Sequence, residues 1–547
     1  MLRRFVPVVV SLSAALTAVP AVAQIVPGTV PGTFTGPSSS QTPYVVPVPA
    51  APGWETLAVI SVGDRAKHNG YAMVGIPDGL GALAGKFKSG KYVAAHAYMT
   101  VFMNHEISAG GIARAHGQNG AFVSQWTIHL DTLQVRSGED LIQDVYMWDA
   151  PASQYVFAPT AQFSRLCSAD LPERTAFYNP KTKKGFDGRL FMDGEESGNE
   201  GRAFAHVVTG DDKGTSFQLP HLGRFSWENS VAHPNAGDKT MVVGLDDSTP
   251  GQVYLYVGDK KKVGNPVERA GLTGGALYGI RVTNGGANYG GLPVVRENNG
   301  AVNGTFGLVD VSDVAVGPGS TLQATSVARQ VTEFARPEDG AWDTQNPRVF
   351  YFVITGATID AHAQSARLHK LTFDSLVNPT GGTIELIVER SSLTPPGVVE
   401  PSFAQFDNIT VDGDGSVLVQ EDPGNTPYIA KTWLVNPATK VATAVLQSDP
   451  ARFAPPAPAP FNVDEESSGI IEVTDIVKSA HWYEKGRRYF LADLQAHYGI
   501  PGELVEGGQL YLIASPDPRE PHHGHRDHGW DDGHHTHHED NGDDDDH

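Results

Sequence analysis

The sequence predicts an all-β protein, a β-propeller of about six blades followed by a disordered His/Asp-rich C-terminal tail. Three observations carry that expectation. Short β-compatible runs separated by Gly- and Asp-containing turns recur from Trp54 to Ala514 without a break. Long helical patterns are hard to find, while Gly (60) and Pro (38) are abundant among the 547 residues, a composition that favours short strands and turns. Several of these runs end in, or stand next to, carboxylates. A propeller explains such a pattern because the innermost strand of every blade points its end at a common axis, so residues far apart in sequence converge. The rival architecture, a pair of large β-sandwiches, would scatter the acidic ends.

The chain begins with a secretory signal. Met1-Leu-Arg-Arg4 is basic, Phe5 to Val19 is mostly small and apolar, and Ala21-Val-Ala23 is a small-x-small cleavage signal. Residues 1–23 are thus read as a signal peptide, too short to span a membrane comfortably, and the mature protein is expected in the periplasm or outside the cell. Arg3-Arg4 raises twin-arginine export, but the Phe-Val-Pro that follows lacks the rest of that signal, which favours the general secretory route. Residues 24–52 carry the repeat-like Val26-Pro-Gly-Thr-Val-Pro-Gly-Thr33 and read as an extended linker or surface-draped arm.

The propeller domain is expected over residues 53–516. Tyr92 to Met103 is a β-compatible run that ends in Asn104-His105-Glu106. Ala121 to Leu133 alternates, with Trp126, Ile128 and Leu130 on one face. Leu190 to Met192 breaks into Asp193-Gly-Glu-Glu196. Thr240 to Leu245 ends in Asp246-Asp247, and Gln252 to Val257 returns as the second arm of a hairpin. Val349 to Ile354 ends at Thr355-Gly356. Ile409 to Val411 turns through Asp412-Gly-Asp-Gly415 into Ser416 to Gln420, which delivers Glu421-Asp422. Tyr489 to Leu491 delivers Asp493, Gln495 and His497, and Gln509 to Ala514 is the last strand. From residue 517 the chain alternates His with acids and ends in Asp543-Asp-Asp-Asp546, too polar to form a core. That tail suits weak chelation of Zn, Ni or Cu and the scavenging of metal.

The formal net charge of −22 argues against nucleic acid as a partner, since binding its backbone needs clustered Lys and Arg. No later segment is apolar for long enough to span a membrane, and a monomer is expected. The single cysteine, Cys167, rules out an intramolecular disulfide. It is either a small buried hydrophobe or a soft ligand to a transition metal. There is no Walker A loop, no H-E-x-x-H and no G-x-S-x-G.

The candidate site residues are acids in strand-end contexts. They are Glu106, the pair Glu195 and Glu196, Glu228 beside Trp227, Glu338 in Arg336-Pro-Glu-Asp339, Asp407 in Phe406-Asp-Asn-Ile409, and Glu421; Glu465, Glu466 and Asp493 complete the set. Adjacent carboxylates repel unless hydrated or bridged by a cation. Oxygen-rich sites favour Ca²⁺, Mg²⁺ or Mn²⁺, and a thiolate tilts a position towards iron or another transition metal.

The ordered set Asn104-His-Glu106, Glu195-Glu196, Gly223-Arg-Phe-Ser-Trp-Glu228, Asp246-Asp247 before a Val-Tyr strand, Arg336-Pro-Glu338 and Asp407-Asn408 resembles the PhoX-type alkaline phosphatases over about residues 55–515. The resemblance implies a β-propeller with an iron and calcium cluster on its axis, exported from the cell and hydrolysing phosphate monoesters. It implies metal ligation by Glu195 or Glu196, Glu228, Glu338 and Asp407, with Glu106, Cys167 and Glu421 as further candidates, Ca²⁺ and Fe³⁺ as cofactors, and Arg336 holding the substrate phosphate. Of the adjacent pair, Glu195 is expected to face the axis and Glu196 to make a neighbouring calcium contact. Cys167 lies in Ser164-Arg-Leu-Cys-Ser168 and not in the Asn-rich context of the family's iron-binding cysteine, which suggests a divergent branch. The alternatives are a non-enzymatic calcium-binding propeller serving as an interaction module, and a propeller hydrolase of phytase or lactonase type.

Overall fold

The computed structural model describes residues 24–88, 91–393 and 405–517. The signal peptide and every His of the C-terminal tail lie outside the described residues. Six four-stranded units surround one axis. From the inside outwards, blade 1 is Pro77–Ala84, Tyr98–His105, Phe122–His129 and Gln134–Asp140. Blade 3 is Trp227–Ala232, Lys239–Asp246, Gly251–Asp259 and Ala276–Asn284, and blade 4 is Pro337–Trp342, Val349–Ile354, Arg367–Phe373 and Gly381–Glu389. Strand Gly304–Asp310 joins the outer edges of blades 3 and 4. Blade 5 is Phe406–Val411, Val417–Glu421, Lys431–Asn436 and Val441–Ser448.

Blade 6 closes the ring. Its first three strands, Glu465–Glu472, Tyr489–Ile500 and Val505–Ala514, come from the end of the chain, and its fourth, Glu55–Ser61, comes from the beginning. The arm before it is not draped in solvent. Val45–Pro47 pairs with Val441–Ser448 as a fifth strand of blade 5, and Thr33–Thr35 runs parallel to Glu55–Ser61. Tyr44, Val45 and Val46 are buried, so the arm laces blades 5 and 6 together at their outer edges.

Blade 2 departs from the strand pattern read in the sequence. Leu190–Gly194 is its second strand, followed by Ala203–Val207 and Thr215–Gln218, with Asp144–Asp149 and Gln154–Phe157 beyond. The innermost position is taken by residues 166–171, which meet Leu190–Gly194 only through the bridges Leu166–Glu195 and Asp170–Met192. This stretch packs between the inner strands of blades 1 and 3. A Cβ on Gly79 would lie 2.3 Å from the Ala169 nitrogen, so glycine is required there, and Ala232 N donates to Asp170 Oδ2 at 2.8 Å.

The cores lie between blades, not within one. Phe102 and Val123 of blade 1 pack on Phe191 and Phe204 of blade 2. Phe350 and Phe352 of blade 4 face blade 3 through Val243 and Leu255, while Tyr351 and Val353 face blade 5 through Ile409 and Val419. A strand buried on both faces reads as an unbroken apolar run such as Val349–Ile354, because alternate residues serve different neighbours.

Candidate metal and phosphate site

In each blade the first and second strands run antiparallel, so the start of one and the end of the other share one end of the propeller. At that end one backbone hydrogen bond recurs six times. A residue at or near the end of the second strand donates its N–H to the carbonyl of the residue just before the first: Glu106 to Ile76, Glu196 to Arg165, Asp247 to Ser226, Thr355 to Arg336, Asp422 to Gln405 and His497 to Asp464, at 2.9 to 3.1 Å. Two residues beyond each of those carbonyls stand Asp78, Cys167, Glu228, Glu338, Asp407 and Glu466. In the five inner strands that pair as strands, the register shifts close to this position. Such bulges re-aim side chains and recur beside functional sites.

These six residues and three of the second-strand residues, Glu106, Glu196 and Asp422, form one continuous string. Ligand-capable atoms lie within 4.8 Å of one another in the groups Asp78–Glu106–Cys167, Cys167–Glu196–Glu228, Glu228–Glu338–Asp407 and Asp407–Asp422–Glu466. Each group shares a member with the next. Gln495 Nε2 donates to Asp78 (3.2 Å), Glu106 (3.0 Å) and Glu466 (3.2 Å), tying the string towards a ring. Next to it, Ser168 Oγ donates to Glu228 (2.7 Å) and accepts from Asn408, and Asn229 donates to Asp339.

The string holds eight carboxylates and one thiol. The basic groups that contact it are Arg165, Arg336 and His497. Two carboxylates about 4 Å apart repel by ~4 kcal/mol at an effective dielectric of about 20. Full ionisation would therefore consume a domain's whole stability of roughly 5–15 kcal/mol. Burial accordingly pushes Asp78, Glu196, Glu338 and Asp407 well above the ordinary carboxylate range, reinforced by their acidic neighbours. Burial drives Glu228 up to about 8. The Cys167 thiol is raised by burial and by Asp78. Asp78 Oδ1 is buried without any hydrogen-bond partner. An orphaned carboxylate oxygen in a ring with surplus negative charge is what a cation site looks like before its charge is supplied.

Of the residues expected from the sequence, Glu106, Cys167, Glu196, Glu228, Glu338 and Asp407 come together here. Glu195 and Glu421 do not. Glu195 is next to Glu196 and points the other way, as successive residues of extended chain must; both its oxygens are taken by the Arg202 guanidinium, and Oε1 also accepts from Ser164 N at 3.1 Å. Glu421 likewise points away from the string, where Asp422 takes its place. It accepts from Arg390, Trp433 Nε1 (2.9 Å), Tyr428 OH (3.0 Å) and Lys431 N (2.9 Å). The same one-residue alternation separates Glu466 from Glu465, which accepts from Ala430 N. Asp78 escaped the sequence reading because Ile76-Pro-Asp-Gly79 has the chemistry of a turn. Its signal is the hydrogen-bond frame, visible only once blades align.

Arg336 is held beside the string. Its Nε and Nη2 donate to the two oxygens of Asp247, each at 2.7 Å, and Nη2 lies 3.1 Å from Glu338. Nη1 donates no hydrogen bond among the described residues, which leaves one edge of the guanidinium for an anion.

A family model described as alkaline phosphatase PhoX matches residues 173–442. Over that segment the chain is similar to the PhoX-type alkaline phosphatases. The matched segment contains Glu196, Glu228, Arg336, Glu338, Asp407 and Asp422, and leaves out blade 1, Cys167 and blade 6. The structure of Pseudomonas fluorescens PhoX, solved in complex with vanadate as a transition-state analogue, superposes with a TM-score of 0.55 at 12% identity, covering 88% of this chain and 97% of that one. The two share the propeller fold. The NanB sialidase of Streptococcus pneumoniae matches at a TM-score of 0.32 and 8% identity, over 84% of this chain and 70% of that one. No curated protein sequence matches. Among the described residues no helix is long and apolar enough to cross a membrane.

Proposed function

We infer that this PhoX-type phosphatase hydrolyses phosphate monoesters at the axial ring, as an exported enzyme that works with bound calcium and iron. The observation that carries this reading is the string of four linked acid groups beside an arginine with one free edge. The donor chemistry fits both metals. Glu228–Glu338–Asp407 and Asp407–Asp422–Glu466 offer only oxygen, which suits calcium. The two groups that share Cys167 add sulfur, which suits iron. Bound there, such cations would neutralise the phosphoryl oxygens and activate the attacking water.

The chain's own residues supply the rest. Asp247 grips Arg336 along the Nε/Nη2 edge, and the residue's left-handed backbone (φ 62°) sets the angle at which its side chain leaves the strand. Nη1 then donates to a phosphoryl oxygen. Gln495 orients three of the carboxylates at once, and Thr355 Oγ1 holds Glu338. Asn408 donates to Ser168 Oγ, which in turn holds Glu228.

The test is hydrolysis of a chromogenic phosphate monoester by full-length protein with Ca²⁺, with and without iron. Turnover that Glu338→Gln abolishes supports the reading. No turnover under any metal condition sinks it.

A further inference from the structure

We propose that Arg165 is a second phosphate-binding arginine, the counterpart of Arg336 two blades away, and that the two grip one phosphoryl group from opposite sides of Glu228. The inference rests on the phosphatase reading above. Its basis is the sixfold hydrogen-bond frame. The residue whose carbonyl closes that frame is Ile76, Arg165, Ser226, Arg336, Gln405 or Asp464 in the successive blades. Arginine stands at two of the six, and at both the backbone is left-handed, with φ 49° for Arg165 and 62° for Arg336. A non-glycine residue is held in that conformation only when its surroundings impose it. Ile76 shares the conformation (φ 53°) but carries no charge.

The side-chain contacts repeat as well. Arg165 donates through Nε to Glu106 at 2.8 Å and through Nη2 to Glu106 and Glu196, as Arg336 uses Nε and Nη2 on Asp247 and Glu338. In both, Nη1 donates no hydrogen bond among the described residues. Arg165 is the more open, with 44% of its side chain exposed against 32% for Arg336. The carboxylates that anchor the two are themselves neighbours, for the Asp247 and Glu228 charges both act on Glu196. A tetrahedral dianion has enough oxygens to accept from Nη1 of both guanidiniums, and two donors on separate side chains impose an orientation that one cannot.

The experiment is titration calorimetry of inorganic phosphate into full-length, metal-loaded wild type, Arg165→Gln and Arg165→Lys, with metal content and KM for a chromogenic monoester measured on the same samples. The expected result is unchanged metal content, phosphate binding weaker by about 10- to 100-fold in Arg165→Gln with KM raised in parallel, and partial recovery in Arg165→Lys. Two results overturn the inference alone: equal phosphate affinity in wild type and Arg165→Gln, or a loss of metal with phosphate affinity unchanged at saturating metal, which would make Arg165 an anchor for Glu106 and Glu196 only. A wild type that binds no phosphate overturns the phosphatase reading together with this inference.

Discussion

Two buried acidic regions of this propeller lie within one residue of each other in sequence and behave oppositely. Glu421 is fully compensated: both oxygens accept from Arg390, Trp433, Tyr428 and Lys431, and the Arg390–Glu421 pair is almost wholly buried. Asp422, the next residue, joins Asp407 and Glu466 in a group with surplus negative charge, and its carboxyl is driven up to about 7 by burial and by Glu466. Burial and acidity alone therefore do not mark a ligand. Compensation does: an acid whose lone pairs are all answered by the protein belongs to the scaffold, and one whose lone pairs are answered by other acids awaits a cation.

Glu338→Gln should break the uncompensated side most. It removes one ligand from the group Glu228–Glu338–Asp407, so metal content should fall and turnover of a chromogenic phosphate ester should drop by at least about 100-fold, with folding intact by circular dichroism. Glu421→Gln should do the reverse. It removes the carboxylate paired with the buried Arg390, costing about 3–5 kcal/mol in urea unfolding, while the folded fraction keeps its metal.

Chelation should show the same contrast through pH. Without metal, Glu228 holds its proton up to about 8, against an ordinary value of 4.5. The native state then binds more protons than the unfolded chain between those values, so the stability of chelated protein should fall as pH rises through that window. Metal-loaded protein, with the ring charge neutralised, should lose that slope in thermal melts between pH 5 and 8. The smallest effect is expected at Glu195→Gln. Its partner Arg202 is partly exposed, so a loss of roughly 1 kcal/mol and no change in metal content should follow; the neighbouring Glu196→Gln should lower metal content instead.

The propeller was legible because interblade packing leaves its mark on every strand. Val349–Ile354 is apolar throughout since it serves two cores, and the Asp246-to-Gly251 turn joins the antiparallel pair it announces. Most of the ring was legible as acids near strand ends. The choice within adjacent pairs was not. Glu195 against Glu196 and Glu421 against Asp422 differ by one residue of extended backbone, and side-chain alternation assigns the pair only when register is known. The inner strand of blade 2 was hidden because Leu166 to Leu171 makes isolated bridges and has neither strand composition nor turn punctuation on both sides. The arm at 24–52 read as a linker because Pro and Gly are common there, and pairing to the edges of blades 5 and 6 outweighs that composition.

Elemental analysis tests most directly whether the six aligned positions form one metal centre. Full-length protein purified without added metal should be compared with the triple variant Asp78→Asn, Glu338→Gln, Asp407→Asn, which leaves the His-rich tail in place so that metal bound there cancels. Calcium together with iron is expected in the wild type, with loss of both from the variant. Equal metal content in the two proteins would contradict this.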